Sequence, residues 1–463
     1  MVDIPDSFSI ISDNGTRLNA TEIKDDINNI CVNMESRSLA FCLCSNTVGS
    51  LIGYMSFMKN KTVPVMLDAR KDAESLKALF DIYRPNYIWA PADNVLVGNM
   101  DAIYEIFGYG LYKYCDKPIN LYSSLGLLLT TSGSTGSPKL VRLSYDNVRS
   151  NAESIAEYLD IDENERAITS LPMHYSYGLS VINSHFIKGA TILLTDQPVI
   201  QKEFWTFAAE QKATSISGVP FTYEMLRRLR IFKKDLPYLK TMTQAGGKLN
   251  AAVAKEYIDS ARAAGKRFIV MYGQTEATAR MSYLPWEAAE EKCASMGIAI
   301  PGGKFSLIDS EGFEIEEPDK DGELIYHGPN VSMGYAQCRE DLSKGDENCG
   351  TLHTGDVARR DADGFYYITG RMKRFIKIFG NRVNLDATEQ LVKAITTSCA
   401  CTGVDDKLTV FTTDGDKVEE IKALLVKKTG INIRAFSVKV IDSIPKNNSG
   451  KVLYAQLTKM LSE

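Results

Sequence analysis

The residues between Leu127 and Lys139 could do chemistry together. An apolar run through Leu129 meets Thr130, Thr131, Ser132, Gly133, Ser134, Thr135 and Gly136, and Lys139 closes the stretch. Such a loop suits phosphate. Gly133 and Gly136 let the backbone approach an anion at positive φ, hydroxyls and main-chain N–H groups donate to phosphoryl oxygens, and Lys139 adds a cation. The better-known cradle, G-x-x-x-x-G-K-[ST], is excluded. The two glycines stand three apart, Ser137 and Pro138 precede Lys139, and Leu140 replaces the metal-binding hydroxyl. On composition alone a solvated turn is the commoner reading of such a stretch.

The elements that must position this loop are legible. Apolar runs at Leu39–Cys44, Val63–Leu67, Tyr87–Ala90, Leu127–Thr130, Thr191–Leu194 and Phe268–Tyr272 read as buried strands, each beside a segment of helical periodicity. That alternation predicts an α/β fold, with a large multi-lobed N-terminal region of mixed sheets flanked by helices. Val148, Ala152, Ile155 and Leu159 recur at helical spacing behind Ser144, a capping residue, so the loop is expected to deliver a strand to a helix. Turns at Asp309–Gly312, Asp319–Gly322 and Asp361–Gly364 predict a small β-rich lobe.

Composition frames the class. A chain of 463 residues, 44% hydrophobic and 24% charged, has material for two or three globular domains. No basic stretch precedes an apolar one at the start, and no run approaches the roughly 18 apolar residues of a membrane span, so a cytoplasmic protein is expected. The pairs Cys42/Cys44 and Cys399/Cys401 fit same-face strand positions better than half a metal site. A net charge of −5 without a dense basic tract argues against a nucleic-acid partner. From Met372 onward 15 Lys and Arg stand against 10 Asp and Glu. That basic balance suits a phosphorylated thiol cofactor or an acidic carrier protein, although a solvated helix face such as Lys417–Lys428 accounts for much of it.

Further segments follow the loop in one order: Leu171–Gly178 with His174, Ala245–Lys248, Tyr272–Glu276, Gly322–Gly328 with Gly334 and Tyr335, Thr354–Asp356, Gly370–Lys377, and Pro445–Lys451. Together with the loop they resemble the ANL adenylate-forming enzymes: acyl-CoA synthetases, nonribosomal adenylation domains and luciferases. The resemblance spans residues 127–451, and residues 1–100 carry no readable motif. It implies an N-terminal ATP- and carboxylate-binding region, 1–371, followed by a mobile α+β domain, 372–463. ATP, Mg²⁺ and a thiol, CoA or phosphopantetheine, are the implied cofactors.

The resemblance also implies roles. Thr130 to Gly136 with Lys139 would wrap the β- and γ-phosphates, Glu276 would hold Mg²⁺, and Thr275 would reach the α-phosphate. Tyr272 would stack on adenine beside Gly273, with Gly246 and Gly247 forming a close backbone edge. Asp356 would accept from both ribose hydroxyls, and Arg371 would reach ribose or phosphate. On their own, Asp356 reads more commonly as a turn cap and Arg371 as the partner of a surface carboxylate. Lys451 would bridge the attacking carboxylate and the α-phosphate as the catalytic lysine. Relatives rotate the small domain between half-reactions, which places the hinge at Lys373–Arg374 and lines the thiol's approach with Gly380, Asn381 and Arg382. Arg374 departs from the family's usual Asp or Lys.

The implied reaction is ATP-dependent activation of a carboxylic acid as acyl-AMP with pyrophosphate release, then thioester formation with CoA. A carrier protein's phosphopantetheine arm is the alternative acceptor. An ADP-forming kinase or ATPase and a degenerate nucleotide-binding module are the remote alternatives. Amino-acid-activating relatives place an aspartate in the segment matching Met173–Gly178, whereas this chain has His174 and Tyr175 there. An acid without an α-amino group is therefore expected, with His174 and Gly178 at the acyl pocket. A histidine that merely bonds within the fold is the equal alternative.

Overall fold

The computed structural model describes residues 3–71, 73–130, 139–379, 381–446 and 451–461, without the side chains of 73, 75, 373, 375, 381 and 382. Two compact units divide the chain: Met1–Lys304 with Tyr326–Leu352, and Phe305–Ile325 with His353–Glu463.

Two sheets build the first unit. One runs in the order Tyr335–Ala336, Leu140–Ser144, Leu125–Thr130, Val63–Asp68, Leu39–Cys44, Tyr87–Pro91, Tyr109–Lys113 and Ala102–Ile106. In the other, the parallel strands Arg267–Tyr272, Thr241–Gln244, Ser215–Gly218, Arg166–Ile168, Thr191–Leu194 and Ser9–Ser12 lie side by side. Every residue of Leu39–Cys44 is buried, which is why that strand reads as a continuous apolar run and not as an alternation. Two helices, Val48–Asn60 and Ser176–Phe186, are buried nearly all round. They share one hydrophobic core with Cys42, Met66 and Leu127 of the first sheet and Ile192 and Leu194 of the second.

The α/β class and all six expected strands are present, with ends shifted by no more than two residues. One local expectation is corrected. The strand Leu125–Thr130 does not pass directly to a helix but pairs antiparallel with Leu140–Ser144, and only then does helix Tyr145–Tyr158 begin. Leu140, Val141 and Leu143 are apolar enough to form a buried return strand first. Ser144 is the N-cap as expected, accepting from Asn147 N at 2.9 Å, and Val148, Ala152, Ile155 and Leu159 are buried.

The second unit carries the sheet Lys304–Ile308, Gly322–His327, Thr351–Arg360 and Tyr366–Arg371. Two of its hairpin turns are built alike: Asp309 Oδ1 accepts from Glu311 N and Phe313 N, and Asp361 Oδ1 from Asp363 N and Phe365 N. This β-rich lobe groups with the C-terminal residues because Asn384 and helix Leu385–Val392 pack on the Tyr366–Arg371 strand, Asn384 Nδ2 donating to Thr369 O at 3.0 Å. Beyond lie the hairpin Phe375–Ile378 with Asn381–Asn384, a three-stranded sheet of Cys399–Val404, Lys407–Thr412 and Phe436–Val440, and helices Val418–Thr429 and Tyr454–Lys459. Both C-x-C pairs lie buried along single strands. Among the described residues no helix is long and apolar enough to cross a membrane.

Candidate functional site

Glu276 is presented by a backbone held in an unusual shape. After strand Arg267–Tyr272 the chain doubles back through a 3₁₀ turn, Thr275–Ala277, with Thr278 at φ +57° and Ala279 at φ +106°. Side chains rarely tolerate such angles, so the surrounding structure must enforce them. Asn330 does so: its Nδ2 donates to Ala277 O and Arg280 O at 2.7 and 3.0 Å, while Thr278 Oγ1 donates to Asn330 O. Gly273 is obligatory in this loop, since a Cβ there would lie 1.6 Å from Ala279 O.

The carboxylate meets an aromatic bridge to Lys139. Tyr335 donates its hydroxyl to Glu276 Oε1 at 2.8 Å, and Lys139 Nζ sits 3.2 Å from the centre of the Tyr335 ring. Burial, and then the neighbouring Glu276 charge, push the Tyr335 phenol far above its ordinary range, so it stays a donor. Lys139, Tyr335 and Glu276 are all half-buried. Thr131, Ser132, Gly133, Ser134, Thr135 and Gly136 lie outside the described residues; Thr130 ends the strand that enters them.

Neighbouring groups complete the arrangement. Thr275 Oγ1 is 3.1 Å from Ser176 Oγ, and the half-buried Tyr272 accepts from Gln274 Nε2 at 3.1 Å. Gly246 stands at φ +81°, where a Cβ would lie 2.6 Å from the Tyr175 hydroxyl, so the backbone edge expected at Gly246 and Gly247 closes on Tyr175. At Gly178 the space of a side chain is filled by Pro172 O, at 2.3 Å, which makes that glycine a packing requirement of the Leu171–Gly178 turn.

His174 is mostly buried, its Nδ1 without a hydrogen-bond partner among the described residues and its Nε2 4.0 Å from Asp68 Oδ2. Burial lowers its pKa; the opposing pull of Asp68 is smaller, so the ring is neutral near pH 7. Asp68 is the carboxylate that the local segment lacks. Burial would raise its pKa, yet the Arg70 N–H at 3.0 Å and the charges around it outweigh that and hold it ionised.

In the second unit, Asp356 and Arg371 face each other across paired strands, Nε to Oδ1 3.2 Å. Asp356 is buried while the Arg371 side chain is largely exposed. The carboxylate that Arg371 meets is thus its fellow candidate, and it is buried. Lys451 is half-buried and follows Asn447–Gly450, which lie outside the described residues, as does Gly380. Arg374 is anchored: Nε 2.6 Å from Asp386 Oδ1, Nη2 3.0 Å from Cys401 O, and its guanidinium 3.5 Å above the Tyr454 ring.

Several residues escaped sequence reasoning. Tyr335 stood in a quoted motif without a role. Arg142, the lone charge in an apolar strand, is fully buried and donates to Met333 O, Tyr335 O, Lys344 O and Gly345 O and pairs with Glu347, which seats the loop carrying Tyr335. That lone charge was the available signal. A cavity of about 460 Å³ between Ile27, Tyr54, Met58 and Phe186 includes none of the expected site residues.

The arrangement brings a cation, a hard carboxylate oxygen and a hydroxyl together through Tyr335, which is what a nucleotide phosphate and a divalent ion require. Comparison with known proteins agrees with that chemistry. The family described as "AMP-binding enzyme" matches residues 43–336. The chain is 29% identical over 359 residues to a feruloyl-CoA synthase of Amycolatopsis sp, covering 74% of this chain and 71% of that protein. It is 28% identical over 367 residues to a long-chain-fatty-acid–CoA ligase of Escherichia coli O157:H7, covering 74% and 62%. In fold it is similar to the o-succinylbenzoate coenzyme A synthetase from Bacillus subtilis in complex with AMP, with a TM-score of 0.80 at 20% identity over 98% of this chain and 96% of that one.

Proposed function

We propose, because the chain belongs to the AMP-binding enzyme family of adenylate-forming proteins, that it is an acid–thiol ligase that joins a carboxylic acid to CoA through an acyl-AMP. The observation that carries this reading is the Lys139–Tyr335–Glu276 bridge, which poises a phosphate-binding cation and a metal-binding carboxylate at one edge. In the first half-reaction a carboxylate oxygen of the acid attacks the α-phosphorus of ATP and pyrophosphate leaves. In the second, the thiol attacks the acyl carbonyl and AMP leaves.

The residues divide that work. Lys139, with Thr130 to Gly136, balances the β- and γ-phosphate charge. Glu276 fits a magnesium ligand: Oε1 is oriented by Tyr335 and Oε2 has no protein partner among the described residues. Bound Mg²⁺ supplies neutralising charge to the phosphates. Thr275 donates to the α-phosphate, Tyr272 and the Gly246–Gly247 edge hold the base, Asp356 and Arg371 hold the ribose, and Lys451 stabilises charge that builds at the α-phosphorus. Rotation of the residues after Arg371 then exchanges Lys451 for the thiol channel. Cytoplasmic ATP and CoA suit the reading, and a carrier protein is the second choice of acceptor.

His174 forms a neutral wall of the acyl pocket. Asp68 beside it is already engaged by Arg70, so an α-ammonium finds no uncommitted carboxylate there. The test is pyrophosphate exchange into ATP across a carboxylate library. Acid-dependent exchange with AMP as product is expected; ADP as product, or exchange without an acid, would remove the reading.

A further inference from the structure

Glu389 is a buried carboxylate that the proposed mechanism does not use. Its Oε2 accepts from Cys401 N and the Tyr454 hydroxyl, both at 2.9 Å, and its Oε1 accepts from Lys393 Nζ at 2.9 Å. Above the Tyr454 ring lies Arg374, whose Nη2 is 3.4 Å from Glu389 Oε2. The side chains of Arg374 and Glu389 are 11% and 5% exposed, so water competes little for the contact between them. Two cations, Arg374 and Lys393, match two carboxylates, Asp386 and Glu389, and the cluster is closed on itself.

Tyr454 joins this cluster to the lysine loop. It opens helix Tyr454–Lys459 three residues after Lys451. Leu453 N donates to Pro445 O at 2.9 Å, and Val452 bridges to Lys446, so the ends of the lysine loop are drawn together where Tyr454 enters the cluster.

We infer that Glu389 and Tyr454 are positioning residues that couple Arg374, at the expected hinge, to the backbone bearing Lys451, so that the two move as one body. The inference deepens the ligase reading and rests on it. One consequence narrows the expected hinge at Lys373–Arg374: a guanidinium locked into the small domain moves with it, which puts the pivot on the N-terminal side of Arg374, at Met372–Lys373. Tyr454→Phe would keep the ring under Arg374 and remove only the bond to Glu389.

The two half-reactions test this separately, with hydrogen exchange on the same variant. For Tyr454→Phe, the kcat of adenylate formation is expected to fall about tenfold with the KM for ATP within about twofold. Thioester formation from supplied acyl-AMP should stay within about twofold. Amides of Lys451 to Leu453 should exchange faster while strand Cys399–Val404 keeps its protection. Equal loss in both half-reactions, or unchanged exchange at 451–453 in a folded variant, would overturn the inference. Should that variant fail to fold, Arg374→Lys, which loses the ring stacking but keeps the charge, must give the same selective loss or the inference falls. A wild-type protein inert in pyrophosphate exchange would overturn the ligase reading and the catalytic role here, whereas the hydrogen-exchange pattern judges the coupling alone.

Discussion

Two charged clusters in this molecule are built from similar parts and behave as opposites. Around Tyr335, a lysine and a carboxylate are half-buried and joined through one phenol, the cation resting on the ring face and, among the described residues, not in an ion pair. Around Tyr454, an arginine rests on the ring, but it and the nearly buried Glu389 are matched in charge by Lys393 and Asp386 behind them. The first set can trade partners with an incoming anion, because a cation over a half-buried ring face is held by only about 1–2 kcal/mol. The second cannot, because removing one member of a buried pair leaves an uncompensated charge. Similar residue types therefore signal chemistry in one place and architecture in the other.

The largest effect that would break this contrast lies at Lys451. If its charge acts only at the α-phosphorus, Lys451→Ala should lower adenylate formation by about 10³-fold and leave transfer from supplied acyl-AMP nearly intact. Single-turnover assays of the two halves decide it, and equal loss in both would remove Lys451 from the chemistry. Next comes Glu389→Ala, which strands Arg374 and Lys393 and should cost roughly 3 kcal/mol of stability. A urea midpoint within error of the wild type would show that the cluster is not the structural element described. Glu276→Gln gives the opposite signature, with lost turnover and an unchanged midpoint.

How much of this was legible beforehand depends on the range of the interactions involved. The strands at Leu39, Val63, Tyr87, Leu127, Thr191 and Phe268 were readable because burial on both faces writes itself as a local apolar run. Ser144 was readable because capping is settled within one turn of helix. The return strand Leu140–Ser144 was not, since five residues ahead of a helix signal merge with it. At the candidate site, the motif residues stood out by type and order, but the partners the structure gives them did not. Arg142 lies 193 residues from Tyr335 in sequence, and Glu389 lies 65 from Tyr454. Asp68 reaches His174 from a strand more than a hundred residues earlier, so a search confined to Met173–Gly178 could not find that carboxylate.

Two histidines sharpen the same comparison at a smaller scale. His174 borders Asp68, whereas His185, in the same stretch of chain, is fully buried and bonds only inward, its Nδ1 lying 2.8 Å from Val181 O. Burial drives the His185 pKa down to about 4, with the Val181 carbonyl opposing. Unfolded, that ring protonates near 6.5, so the unfolded chain binds more protons between about pH 4 and 6.5. Its contribution is thus complete above 6.5 and is lost as pH falls through that window, about 2 kcal/mol less stability at pH 5 than at pH 7. Denaturant titrations at both values should show a slope that His185→Gln reduces and His174→Gln changes less; equal slopes in all three would show that burial at 185 is not what sets it.

The finest discrimination is Tyr335→Phe. It keeps the ring beneath Lys139 and deletes the hydroxyl that orients Glu276, so one bond to a half-buried carboxylate is removed from an otherwise intact set. A charged-acceptor bond of this kind contributes about 1.5 kcal/mol, or about a tenfold effect where it is felt. If Tyr335 serves to hold Glu276 ready for a metal, the loss should appear as a rise in the Mg²⁺ concentration giving half-maximal adenylation, with saturated kcat falling less. The thermal midpoint should move by no more than a few degrees, since Arg142 still seats the loop through backbone carbonyls that the substitution does not touch. A variant that loses stability while keeping its Mg²⁺ dependence would place Tyr335 with Tyr454, as architecture, and erase the difference between the two clusters.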